Sequence, residues 1–154
     1  MVNVGGPDDG AEPPTVDESR LRALPASAVE LSGDITAFDV ARAVAETRER
    51  QDPLYWMDLE VAAGWVIVGD NGQGDEWWLG PHGDVWFFDH VDGERAVSRF
   101  APMHLSITEW LMVGHVRASF EAADDTSDTA VERTRAALEA ISPELSARWP
   151  YDLF

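Results

Sequence analysis

Two aromatic runs, "DEWWL" and "DVWFFDH", flank the turn "GPHG" between residues 75 and 90. Successive side chains of a strand point to opposite sides of its sheet. Trp77 and Leu79 therefore share one side of the first arm, and Val85 and Phe87 share one side of the second. Trp78, Trp86 and Phe88 fall on the opposite sides, so neither side of this hairpin is polar. A hairpin of this kind needs cover on both sides.

The segments around it supply the cover. "GWVIVG" is apolar throughout and reads as a central strand, while the alternation in "MDLEV" (Met57, Leu59, Val61) reads as a half-exposed strand. "RAVSRF" offers a further short strand. Upstream, Phe38, Ala41, Val44 and Ala45 recur at helical spacing. Thr36 or Asp34 is the candidate N-cap, and Pro53 lies beyond the end, giving a helix of about four turns. Downstream, "LSITEW" combines Ser106 and Glu109 as a capping box with Leu105 and Trp110 as a hydrophobic staple. A second helix carries Val131, Thr134, Leu138 and Ile141 as one stripe, and "SPEL" starts a third, with Ser142 capping and Pro143 in its first turn. The terminal "RWPYDLF" is apolar enough to dock on the body. The expected fold is a single domain that combines strands and helices, α+β. Residues 1–20 form an acidic Gly/Pro-rich tail, 21–121 the domain, and 122–154 a helical extension packed on it.

At 154 residues and 45% hydrophobic, the chain can bury one substantial core. All 11 basic residues are arginine, set against 29 carboxylates for a formal net charge of −18. Such a surface repels phosphate backbones and anionic membranes and attracts basic partners. With no cysteine, disulfides, thiolate nucleophiles and Cys-ligated zinc are excluded. The N-terminal stretch lacks the basic and apolar regions of a secretory signal, which reads as cytoplasmic.

The turn "GDNGQGD" fails each phosphate or metal template at a named position. Trp77 stands where the dinucleotide fingerprint requires its third glycine, and a P-loop requires a lysine. A calcium loop counted from Asp70 puts Gly72 and Gly74 at ligand positions. Asp70, Asp75 and Glu76 remain as weak hard-cation ligands. The reading adopted is a tight connection whose glycines take positive φ. His82, His90, His104 and His115 form no metal-binding pair at helical spacing. Asp89-His90 is the best acid–base pair, with Asp75 as a carboxylate partner in a hydrolase reading.

From Gln51 to Glu94 the chain holds ten carboxylates and no Lys or Arg, interleaved with Tyr55, Trp56, Trp65, Trp77, Trp78, Trp86, Phe87 and Phe88. Rings beside carboxylates suit an Arg-bearing protein partner, the rings anchoring and the carboxylates steering. The candidate partner-binding residues are Asp70, Asp75, Glu76, Trp78, Asp84, Trp86 and Asp89. No catalytic, cofactor or metal residue is assigned.

The run "WVIVGDNGQGDEWWLGPHGDVWFFDH" followed by "SITEWL" resembles the SUKH superfamily, which contains fungal cell-wall synthesis regulators of the Smi/Knr type and bacterial immunity proteins. Val68-Gly69, Gly72, Gly74, Asp75, Val85, Asp89-His90, Trp110 and Leu111 stand at the matching positions. The upstream element of that family has only faint counterparts in "LPASAVEL" and "DPLYWMDL", and residues 122–154 extend past its usual end. The resemblance implies an α+β domain with a curved mixed or antiparallel sheet and helices packed mainly on one side, without a characteristic catalytic set. It further implies an immunity protein that binds and neutralises a cognate toxin, often a nuclease, encoded nearby. A regulatory or scaffold protein for cell-wall or signalling enzymes is the alternative.

Overall fold

Six short strands follow one another in chain order, β1-β2-β3-β4-β5-β6, across one antiparallel sheet in a computed structural model that describes residues 16–154. They are β1 (Val29–Ser32), β2 (Ile35–Ala37), β3 (Val66–Asp70), β4 (Glu76–Leu79), β5 (Val85–Phe88) and β6 (Ala101–Pro102). The helices are α1 (Val40–Arg50), α2 (Leu59–Ala62), α3 (Ile107–Ala123), α4 (Asp128–Ile141) and α5 (Leu145–Arg148). Among the described residues no helix is long and apolar enough to cross a membrane.

The aromatic hairpin is β4–β5, in the register Glu76↔Phe88, Trp77↔Phe87, Trp78↔Trp86 and Leu79↔Val85. Both of its faces are covered, as two apolar faces require. On the first, Trp77 meets Phe87, Trp110 of α3 and Trp149, the last stacked at 4.9 Å. On the second, Trp78 meets Trp56 edge-on at 5.0 Å and stacks with Phe100 at 5.8 Å. The residues from 122 onward pack onto the first face: α4 lies against α3, and Leu138, Leu145, Trp149 and Leu153 are buried.

Local chemistry explains most boundaries. Ser106 Oγ accepts from Glu109 N at 3.1 Å while Glu109 Oε1 accepts from Ser106 N at 2.9 Å, so the expected capping box is complete. Gly72 and Gly74 take φ of 78° and 110°, as expected for the turn. Gly69 is required for a different reason. A Cβ there would stand 2.6 Å from the Thr36 carbonyl oxygen and 2.7 Å from the Trp110 ring, where β2, β3 and α3 converge.

Four expectations are corrected. "MDLEV" contributes to α2 rather than to a strand. Its two flanking residues, Trp56 and Ala62, are buried, while Met57, Leu59 and Val61 all face solvent. The helix expected from Thr36 starts at Val40, with Asp39 accepting from Arg42 N at 2.8 Å. Ile35–Ala37 pairs with β3 instead, because Ile35 and Ala37 point into the core. "RAVSRF" yields a 3-10 turn (Val97–Arg99) before β6. Ser142 ends α4 rather than capping α5; its Oγ accepts from Arg148 Nη2 at 2.6 Å, and Glu144 precedes α5 with a φ of 62°. Of the expected N-terminal tail, residues 1–15 lie outside the described residues. The rest of it includes the 3-10 turn Glu18–Leu21, where Leu21 is fully buried.

Candidate functional site

The residues singled out from sequence separate into three places. At one end of the hairpin, β3 and β4 are joined by the glycine turn and β5 runs into a 3-10 turn (His90–Asp92), which brings Asp75 and His90 together. Asp75 Oδ1 accepts from His90 Nδ1 at 2.7 Å and from His90 N at 3.1 Å. Its Oδ2 accepts from Asn71 Nδ2 at 2.9 Å and from the Tyr151 hydroxyl at 2.8 Å. Asp89 accepts from Val91 N at 3.0 Å and so caps the 3-10 turn.

The electrostatics follow from these bonds. Burial works to raise the Asp75 carboxyl, but the hydrogen bonds from His90 and Tyr151 outweigh it and hold its pKa below the usual value. The bond to Asp75 raises His90, and burial followed by Asp75 pushes the Tyr151 hydroxyl far up. Chemically, this is an imidazole held in one orientation by a carboxylate, with its other nitrogen on a half-exposed ring. Among the described residues no hydroxyl hydrogen-bonds that ring; the Tyr151 hydroxyl donates to Asp75 instead. Asp75, Asp89 and His90 place donor atoms within 4.8 Å of one another. However, Nδ1 and Oδ1 of the closest pair stand at hydrogen-bond distance, and Asp75 already satisfies four donors, which suits a clamp joining Tyr151 to the turn. Asp70 stands apart at the end of β3, 3.7 Å from Arg42, and burial raises its carboxyl.

The second place is the core. Glu76 is 2% exposed, and Trp78 is fully buried. Glu76 accepts from Arg50 Nε at 2.8 Å, from Arg95 Nε at 2.7 Å and Nη2 at 2.6 Å, and from Trp78 Nε1 at 3.1 Å. Neither side chain reaches the surface, which corrects their assignment to a partner-binding face. The carboxylate-only count from Gln51 to Glu94 did not foresee this, because both arginines come from just outside that window.

The third place is the opposite end of the hairpin, roughly 10 Å along the strands. Asp84 and the partly exposed Trp86 lie here, in a groove of about 480 Å³ with Trp65, Pro81, His82, Glu60, Val61 and Val97. Glu60, Val61 and Val97 also line an adjoining groove of about 640 Å³ with Met57, Asp58, Leu59 and Ser98. The two share Glu60, Val61 and Val97 and together make a channel whose lining includes Asp58, Glu60 and Asp84 and no arginine. Along it and its approach, Leu54, Tyr55, Met57, Leu59 and Val61 are 44–85% exposed. Sequence reasoning missed this row because it took the same alternation for a strand face turned to the core.

These exposed side chains sit on a fixed backbone. Buried Trp56 anchors the segment, Met57 N donates to Arg95 O at 2.8 Å, and Trp56 forms an isolated bridge with Arg95. Of the seven partner-binding candidates, the structure brings only Asp84 and Trp86 together on this surface. Comparison with known proteins adds no relative: no family model, no curated protein and no solved structure matches the chain.

Proposed function

We propose that this chain is a non-catalytic protein-binding module that takes a basic partner along the channel between α2 and the β4–β5 turn. The observation that carries the reading is the row of exposed apolar residues from Leu54 to Val61 on an anchored backbone, beside a lining that includes Asp58, Glu60 and Asp84. Contiguous apolar surface of this kind marks interaction sites. Unopposed carboxylates around it select for positive charge and speed encounter. A second copy of the chain is disfavoured by the net charge of −18, and an anionic membrane by the same repulsion. The biological role that fits is an immunity protein neutralising a cationic toxin domain, a nuclease among them, in line with the SUKH resemblance. A scaffold for cell-wall or signalling enzymes would use the same channel with another partner.

The test is binding to toxin domains encoded beside the gene, measured by calorimetry at two ionic strengths alongside protection of cells expressing the toxin. Affinity on the order of nanomolar that weakens with salt supports the reading. Full binding by the Glu60→Arg, Asp84→Arg double variant defeats it. The hydrolase alternative draws on the 2.7 Å contact between Asp75 and His90. Full biological activity of His90→Ala would remove it.

A further inference from the structure

We infer that the Trp86 end of the channel is an anchor pocket for an arginine side chain of the partner, an inference that rests on the basic-partner reading above. Of the five aromatic residues on β4 and β5, Trp77, Trp78, Phe87 and Phe88 are buried, and only Trp86 is partly exposed. Its ring is fixed rather than loose, packed edge-to-face on Trp65 with centroids 5.3 Å apart and planes at 75°. Charge sits immediately beside it. A Cβ built on Gly80 would lie 2.8 Å from Trp86 Nε1 and 3.3 Å from Asp84 Oδ1, so the indole edge and the carboxylate converge over one glycine. A larger residue at Gly80 would push the two apart.

Glu60 supplies a second carboxylate to the same groove. Among the described residues, no side chain pairs with Asp84 or Glu60, unlike Glu46, Asp70 and Glu76, each of which meets an arginine. Arg20 donates to the carbonyl oxygens of Gly64 and Gly80 and does not line the groove. The pocket thus offers an aromatic surface, two unpaired carboxylates and an apolar wall from Val61, Pro81 and Val97.

A guanidinium matches this set better than an ammonium. It is planar and stacks on an indole, it spreads its donors so that two carboxylates are served at once, and it is less strongly hydrated. An ammonium is a compact, strongly hydrated charge that loses more on entering an apolar-walled groove. Arginine and tryptophan are also the side chains that most often dominate interface energetics.

The probes are two capped peptides of alternating leucine and arginine or leucine and lysine, titrated into the full chain. Affinity is read by calorimetry, and the Trp86 indole N–H signal, assigned with Trp86→Phe, is followed by NMR. The arginine peptide is expected to bind about tenfold more tightly than its lysine twin and to move the Trp86 signal. Asp84→Asn combined with Glu60→Gln, both partly or fully exposed and so without a folding burden, should erase that preference. Equal affinities, or an unmoved Trp86 signal, overturn the arginine anchor while leaving the basic-partner reading intact. Failure of both peptides to bind at low salt overturns the two together.

Discussion

Arg95 and Glu76 face each other fork to fork, with Arg95 Nε 2.7 Å from Glu76 Oε1 and Nη2 2.6 Å from Oε2. This pair joins the sheet to the segment that carries the exposed apolar row, because the Arg95 carbonyl accepts from Met57 N and its guanidinium lies over Tyr55. Replacing Glu76 with Gln leaves Arg50 and Arg95 facing a neutral group in a nearly dry site. The loss should be roughly 3 kcal/mol, the scale for breaking a buried pair from one side, read from urea unfolding. The same variant should also weaken partner binding, although residue 76 is not at the surface.

The Asp75–His90 clamp gives stability a pH dependence with opposite signs at its two ends. His90 is raised in the folded state, so its contribution is full below its unfolded pKa and is lost as pH rises through the folded value. Asp75 is lowered, so its contribution is present above its unfolded pKa and is lost as pH falls through the folded value. The clamp is therefore strongest between the ordinary carboxylate and imidazole ranges. A His90→Gln variant should lose the alkaline limb of the difference in melting temperature against pH. An unchanged profile would mean that the pair adds nothing.

Tyr151 closes the clamp from the far end of the chain, through its hydroxyl on Asp75 and Asn71. Tyr151→Phe removes one hydrogen bond to a charged acceptor and should cost about 2 kcal/mol. Hydrogen exchange should report faster opening at residues 71–75, the turn to which the tyrosine is tied.

Two glycines of the same turn region should respond differently to alanine. Gly72 has open space around its Cβ position, so Gly72→Ala costs only the left-handed backbone penalty, about 1 kcal/mol. At Gly69 the new methyl meets the Thr36 carbonyl and the Trp110 ring, neither of which can withdraw easily. Gly69→Ala should cost about 3 kcal/mol and move the fluorescence of Trp110.

Met57, Leu59 and Val61 should show the reverse of a core pattern. Serine or threonine at these positions should change stability by no more than about 0.5 kcal/mol, as for exposed sites, while partner affinity falls. A large loss of stability from Leu59→Ser would mean that the row is structural rather than a docking surface.

The sequence by itself determined the elements whose chemistry is local. The capping box at Ser106, the positive φ of Gly72 and Gly74, the pairing of the two aromatic runs and the need to cover both of their faces were all readable from residues within a few positions of one another. What sequence could not supply was the partner of each charge and the side to which a short apolar alternation turns. Glu76 reads as one more surface carboxylate until the fold brings Arg50, 26 residues earlier, and Arg95, 19 residues later, against it. Asp75 reads as a turn residue until Tyr151 arrives from 76 positions away. Met57, Leu59 and Val61 read as buried because period alone carries no information on what lies opposite; buried Trp56 took that place and left them outside. Those assignments depend on desolvation and long-range contacts, which only the tertiary structure sets. They narrowed a candidate surface spread over both ends of the hairpin to the end that holds Asp84 and Trp86.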